Sequence, residues 1–382
     1  MQFLVANHDT TARIFGHTYL LKGFRNPLAD WKDILVADDA ATSDLLRHHK
    51  ESLSSAALDQ DQIADLPAPL SSLDQIKNGN KILLLRSGGI GDHIMLLPAL
   101  KAFRNRLKDQ SVTIQLSVQE DMFPIFQGNN DIDHLYPLPL SLSDMLMADF
   151  FIDFSGSLEK ALNNDLHLTD YFMRAFHLNR HGAYDMNGLV SGNLSNSSLI
   201  ITLFSRLKKM NPGRRIIFLN WRASTRIKSL PPYLFAEITK QSKDIIFVAG
   251  HPNSFASITD EEISKHNLQA INISSHLKTL YDYFTAVSLS DMVICSDTST
   301  YHIASLYQKP SMVITGPTYP VLTKYYPRCI AIEARYHGDL CQAPCGRVRG
   351  ECPEAQRLKT PFSPCLMSIS PREVASEYHH FV

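Results

Sequence analysis

Three groups of residues have types and spacings that can do chemistry. Gly88, Gly89 and Gly91 make a turn that ends in Asp92, directly after the apolar run Ile82–Leu85. Glycines let the backbone turn tightly and approach a ligand. A carboxylate at a helix start repels a bound phosphate but suits taking a proton from a hydroxyl. Capping the helix is the competing role for Asp92. A second group, Ser224, Thr225, Arg226 and Lys228, offers hydroxyls and cations just after a strand-like run, a chemistry that suits phosphate. The third comprises Asp297, Thr298, Ser299 and His302, followed by the Gly316, Pro317, Thr318 turn. Free N–H groups where Asp297–Ser299 open a helix make an anion site, and a plain cap with an outward His302 is the alternative.

The elements that must position these groups alternate. KILLL reads as a strand covered on both faces, and Ile94, Leu97, Leu100, Phe103 and Leu107 fall at helical spacing after it. SVTIQLSV, HLYPLP and ADFFIDFSG follow as strands, MFPIFQ as a short helix and Leu166–Phe176 as a longer one. Asp153 and Ser155 close a strand and face either a ligand or only their own turn. The polar run 191–198 marks a boundary or a long loop. Beyond it come RRIIFLNW, DIIFVAG, LQAINIS, DMVICSDTS and PSMVITGPT as strands, with helices over Pro232–Ser242, Leu277–Leu289 and Thr300–Leu306. This rhythm predicts parallel sheets flanked by helices in two Rossmann-like halves across a cleft. GxGxxG and the P-loop lysine are missing, which disfavours a dehydrogenase or a P-loop enzyme.

The expected divisions are an annex at 1–80, a first Rossmann-like domain at 81–200, a second at 201–335 and a cysteine-rich tail at 336–382. In the annex, QFLVAN, ARIFGHTYLLKGF and DILVADD read as strands, Thr42–Leu53 as a helix and Leu66–Ser72 as a linker. Composition is that of a packed chain, 44% hydrophobic and 20% charged. A net charge of −1 argues against nucleic-acid binding. No run reaches the roughly 18 apolar residues of a membrane span. The first residues lack a basic, then apolar, leader, so a cytoplasmic location is expected. Arg104, Arg106 and Lys108 form a basic cluster, either part of a membrane-facing patch or a solvated helix end.

Together RSGGIGDHIMLLPALKAFR, STRIKSLP and SDTSTYHIASLYQKPSMVITGPT resemble, in order, glycosyltransferase family nine, the ADP-heptose:lipopolysaccharide heptosyltransferases. The resemblance implies a GT-B fold and an inverting, metal-independent transfer from ADP-heptose. It makes Asp92 the general base and Lys228, with Ser224 or Thr225, the stabiliser of the departing diphosphate. It gives the Gly88, Gly89 and Gly91 turn, Arg226, Gly250, Asp297–Ser299, His302 and the Gly316, Pro317, Thr318 turn to the nucleotide-sugar. The sequence departs from the family at Ser299, where Gly is usual, and after Gly250, where no acidic residue follows. A non-catalytic nucleotide-sugar-binding protein of the same fold is the alternative.

Six cysteines outside an oxidising compartment read as thiols or metal ligands. Cys341, Cys345, Cys352 and Cys365, spaced CxxxC–x6–C–x12–C, suit one structural zinc or iron ion in a closed tetra-thiolate site, whereas Cys295 and Cys329 read as buried thiols. This tail and the annex resemble the autotransporter heptosyltransferase branch, which implies serine acceptors on a secreted adhesin, iron in the tail and a homo-oligomer.

Overall fold

The computed structural model describes residues 1–23, 31–37, 39–56, 66–179, 184–241 and 245–381. Phe24, Asp38, Ser242 and Asp244, which fall in expected elements, lie outside the described residues. The chain divides into two compact units, Met1–His181 and Gly182–Val382.

In the first unit, strands β1 (Gln2–Ala6), β4 (Ile34–Ala37) and β5 (Leu53–Ala56) form an antiparallel sheet, and β2 (Thr10–Ile14) pairs with β3 (His17–Leu21) as a hairpin. The expected helix stops at His48, and Leu53 instead opens β5. The expected linker contains β6 (Ala68–Pro69), which joins the parallel sheet of β7 (Lys81–Leu85), β8 (Thr113–Val118), β9 (His134–Pro137) and β11 (Phe150–Asp153). Its order is β6-β11-β7-β8-β9. Between β9 and β11, the short β10 (Leu140–Ser141) crosses back to pair with β4. The annex therefore shares one apolar core, with Leu4, Leu35, Leu83, Leu85 and Leu140 packed together.

Ile82, Leu83, Leu84 and Leu85 are each 0% exposed, as a strand covered on both faces requires. Burying each contributes roughly 1.5–3 kcal/mol. The helix Ile90–Arg106 follows, and every residue from His93 to Leu100 is buried. The apolar stripe expected on one face is therefore a helix buried nearly all round. Arg104 is spent inside the fold, donating to Asp133 at 2.5 Å and to the Val112 carbonyl at 3.0 Å. That removes it from the basic cluster.

In the second unit, β12 (Arg215–Asn220), β13 (Ile245–Ala249), β14 (Ala270–Asn272), β15 (Met292–Ser296), β16 (Ser311–Thr315) and β17 (Cys329–Glu333) make one parallel sheet. Its order, β14-β13-β12-β15-β16-β17, is the doubly wound 3-2-1-4-5-6 pattern. β13, β15 and β16 are buried at every residue, which explains their unbroken apolar sequences. The run 191–198 lies inside this unit, as a turn of 3-10 helix and the Ser197 cap of the helix Ser198–Met210. The C-terminal helix Pro371–Phe381 packs its Val374, Ala375 and Tyr378 into the same core as Leu219 and Phe235. Among the described residues no helix is long and apolar enough to cross a membrane.

Candidate active site

In open α/β sheets the loops after the two strands where the order reverses form the ligand crevice. In the first unit those strands are β7 and β11. The loop after β7 turns at Gly88, whose φ of +137° is a conformation that other residues rarely adopt. Gly89 precedes the helix, and its N–H donates to Asp92 Oδ2 at 3.0 Å. Asp92 thus caps its own helix. The same oxygen lies 3.4 Å from the Arg86 guanidinium, which is 4% exposed. Arg86 also donates to the Phe154 carbonyl at 3.2 Å and stacks over the Phe172 ring. One buried cation therefore ties the loop after β7 to the loop after β11. Asp92 Oδ1 accepts no hydrogen bond among the described residues. Asp153 accepts from the Ser155 N–H and hydroxyl at 2.9 and 2.6 Å, so this pair forms its own turn.

His93, beside Asp92, is fully buried, with Nδ1 2.8 Å from the Gly89 carbonyl. Burial, reinforced by the Arg86 charge, pushes its pKa down to about 4. His251 in the second unit is shifted the same way by burial and Arg222. A histidine held neutral when folded is protonated more readily when unfolded, so stability is full above about pH 6.5 and falls as the pH drops towards 4. For His93 the loss is on the order of 3 kcal/mol. Urea midpoints measured between pH 7 and pH 4.5 should fall steeply, and His93→Gln should flatten that slope. An unchanged slope in the variant would show that other groups set it.

In the second unit the order reverses between β12 and β15. The loop after β12 carries Lys228 and the loop after β15 carries Asp297. They meet at 3.3 Å, with side chains 15% and 8% exposed. Asp297 also accepts from the Thr318 hydroxyl at 2.7 Å and the Tyr301 phenol at 3.0 Å. Burial pushes its carboxyl up, but the Lys228 ammonium and these hydrogen bonds override that and hold it below the ordinary range. Tyr301 is raised by burial and by Asp297, so it stays a proton donor.

Thr298 caps the helix Ser299–Leu306, its hydroxyl accepting from the Thr300 N–H. His302 is buried, not outward, with Nδ1 2.6 Å from the Tyr326 hydroxyl and its ring 3.9 Å from that of Tyr301. Thr225 gives its hydroxyl to the Val348 carbonyl at 3.3 Å, and Arg226 donates to the Pro361 carbonyl at 2.9 Å. Ser224 is exposed.

Two glycines assigned to the ligand leave no room for a side chain. A Cβ at Gly250 would meet the Phe218 ring at 2.3 Å, and one at Gly316 would meet Leu366 at 2.7 Å and Cys365 Sγ at 2.8 Å. The Pro317 carbonyl accepts from the Cys345 and Gly346 N–H groups, so this turn is fastened to the cysteine-rich tail.

Sequence reasoning did not single out Asn220. It ends β12, buried, and uses all its hydrogen-bonding capacity. Its amide donates to Tyr283 at 2.5 Å and Thr300 at 2.9 Å, and its carbonyl accepts from the Arg222 N–H and His251 Nδ1. The signal was present as one polar residue closing an apolar run. Tyr326 left no such signal, because its partner His302 is set by the fold.

The four tail cysteines carry free thiols. Cys365 is pushed up to about 12 by burial and then by Cys352, Cys345 and Cys341. Burial also raises Cys341, with Cys352 and Cys345 adding to it. As they stand, no group of three or more His, Cys, Asp or Glu side chains among the described residues is arranged to hold a metal ion. Cys295 is fully buried, whereas Cys329 is only partly so.

No family model matches the sequence, and no curated protein matches it. The fold does have counterparts. ADP-heptose lipopolysaccharide heptosyltransferase II of E. coli aligns over 79% of this chain and 98% of its own, with a TM-score of 0.55 and 13% identity. A family-nine glycosyltransferase of Veillonella parvula aligns over 76% and 98%, with a TM-score of 0.53 and 12% identity. TibC of enterotoxigenic E. coli, an iron-containing dodecameric glycosyltransferase, aligns over 80% and 77%, with a TM-score of 0.53 and 10% identity. The chain has the GT-B-type fold of the heptosyltransferases, as the motifs implied.

Proposed function

We propose that this chain is an inverting glycosyltransferase of family nine, moving a heptose from ADP-heptose to a hydroxyl acceptor without a catalytic metal. The acceptor is a serine of an autotransporter adhesin or, failing that, a lipopolysaccharide core sugar. The observation that carries this reading is the Lys228–Asp297 pair across the β12–β15 switch point, beside the helix start at Ser299. Negative charge builds on the diphosphate as the glycosidic bond breaks. An ammonium and free helix N–H groups oppose it there. Lys228 has three N–H donors, so it keeps Asp297 and still serves a phosphate oxygen. Asp297 thus acts as the anchor of Lys228, since a carboxylate facing the diphosphate would repel it. Ser224, exposed in the same loop as Lys228, supplies the hydroxyl in preference to Thr225, whose own hydroxyl is given to the Val348 carbonyl.

Inversion needs the acceptor oxygen to attack the anomeric carbon opposite the leaving group. Asp92 takes the acceptor's proton on Oδ1, while Oδ2 stays with Gly89 and Arg86. Arg86 keeps the carboxylate oriented. The test is nucleotide release from ADP-heptose, with GDP- and UDP-sugars alongside, each with a bacterial envelope extract. ADP release that depends on the extract is expected. Measurable nucleotide binding without release from any donor would favour the non-catalytic alternative.

The tail cysteines enter as a structural site for one iron or zinc ion, supported by the donor set of four thiols, which a bound cation would hold as thiolates. The present side-chain arrangement would have to tighten around it. Elemental analysis of the purified chain should then find about one ion per chain, and Cys352→Ser should lose it. A metal-free preparation with an unchanged melting temperature would remove the site. With iron-containing, dodecameric TibC as a structural counterpart, a homo-oligomer is part of the same reading, and light scattering reads it directly. Free thiols suit a reducing, cytoplasmic setting.

A further inference from the structure

The second unit has a cavity of about 320 Å³ that the transferase reading does not use. It opens at the amino ends of β16 and β17, where Ser311 begins one strand and Arg328 precedes the other. The diphosphate cluster sits at the carboxyl ends, about 16 Å away along a five-residue strand. Tyr184, Met186, Tyr326 and Pro327 give the cavity apolar walls, and Lys309 and Arg328 give it positive charge.

Neither cation is held in an ion pair among the described residues, although the Asp291 charge acts on Lys309. Asp291, the acid that influences it, is engaged by Lys208 at 3.6 Å and by the Ile216 N–H at 2.7 Å. Asp185 also lines the cavity, but its carboxylate accepts from the Asn187 N–H in its own turn. Lys309 is partly buried, and burial lowers its pKa, with the Lys208 and Arg328 charges adding to the effect. A half-buried ammonium beside a guanidinium is a costly arrangement that an anion relieves. Arg328 is held in place by its own donation to the Gln308 carbonyl at 3.0 Å. The volume lies at the lower end of ligand pockets.

We propose that this cavity binds a small organic phosphate, its charge on Lys309 and Arg328 and its apolar body against Tyr184, Met186 and Pro327. One wall is Tyr326, whose hydroxyl meets His302, and the His302 ring packs at a tilt against Tyr301, the donor to Asp297. An occupant therefore touches the packing that supports the catalytic cluster. The inference does not depend on the transferase reading.

Calorimetric titration of the full chain with phenyl phosphate, inorganic phosphate and phenol tests it. Phenyl phosphate should bind at one site per chain and more tightly than either fragment. Arg328→Gln, an exposed and structurally mild change, should weaken it about tenfold, as should Lys309→Met. The paired variant Lys228→Met with Asp297→Asn should bind it normally. Absence of saturable binding would overturn the proposal. So would inorganic phosphate binding equally well, or a loss of binding in the paired variant but not in Arg328→Gln.

Discussion

Asp92→Asn should lower the rate of acceptor-dependent ADP release by roughly 10²–10⁴-fold, the range for removing a general base. Donor affinity should not change, because Asp92 sits in the unit without the Lys228–Asp297 cluster. Asparagine is nearly isosteric. Its carbonyl oxygen keeps the hydrogen bond from the Gly89 N–H, so the helix start survives. What goes is the negative charge facing Arg86 and the capacity to accept a proton. Asp92→Ala separates the roles: it loses the cap as well, at about 1 kcal/mol. If Asp92→Asn keeps its rate while Asp92→Ala melts earlier, Asp92 is a cap and nothing more. Single-turnover rates and donor titrations on both variants decide this.

Lys228→Met is expected to have two separate effects. Transfer should fall roughly 10²–10³-fold, the loss typical of removing one charge stabiliser of a transition state. Stability should fall by about 3–5 kcal/mol, since Asp297 is left buried without its cation. Adding Asp297→Asn separates the two. The neutral amide can accept from one of the Thr318 and Tyr301 hydroxyls with its oxygen and donate its NH2 to the other, so most of the stability should return. Activity should not return, because no cation then faces the diphosphate. Urea denaturation and ADP release on the single and double variants complete the cycle. Recovery of activity in the double variant would show that Lys228 matters only as a partner for Asp297.

Local chemistry made much of this protein legible in its sequence. The turn Gly88–Asp92 between a buried strand and a helix was readable because glycine content, apolar run length and helical spacing are short-range signals. The β12 to β16 strands were readable for the same reason. The motif order along the chain carried the resemblance, and the fold agrees with it.

The tertiary structure decided the rest. Strand order is a non-local property, and only that order brings Lys228 to Asp297 and Arg86 to Phe154. The same holds for the packing at Gly250 and Gly316, where the Phe218 ring and the Cys365–Leu366 segment leave no room for a Cβ. Linker residues Ala68–Pro69 became a strand because β11 offered an open edge, a partner that no local pattern announces. The sequence by itself determined which residue types stand at the ends of which elements, since propensity and periodicity act over a few residues. Only the fold decided which of those ends meet, since parallel pairing and buried charge pairs join residues far apart in the chain.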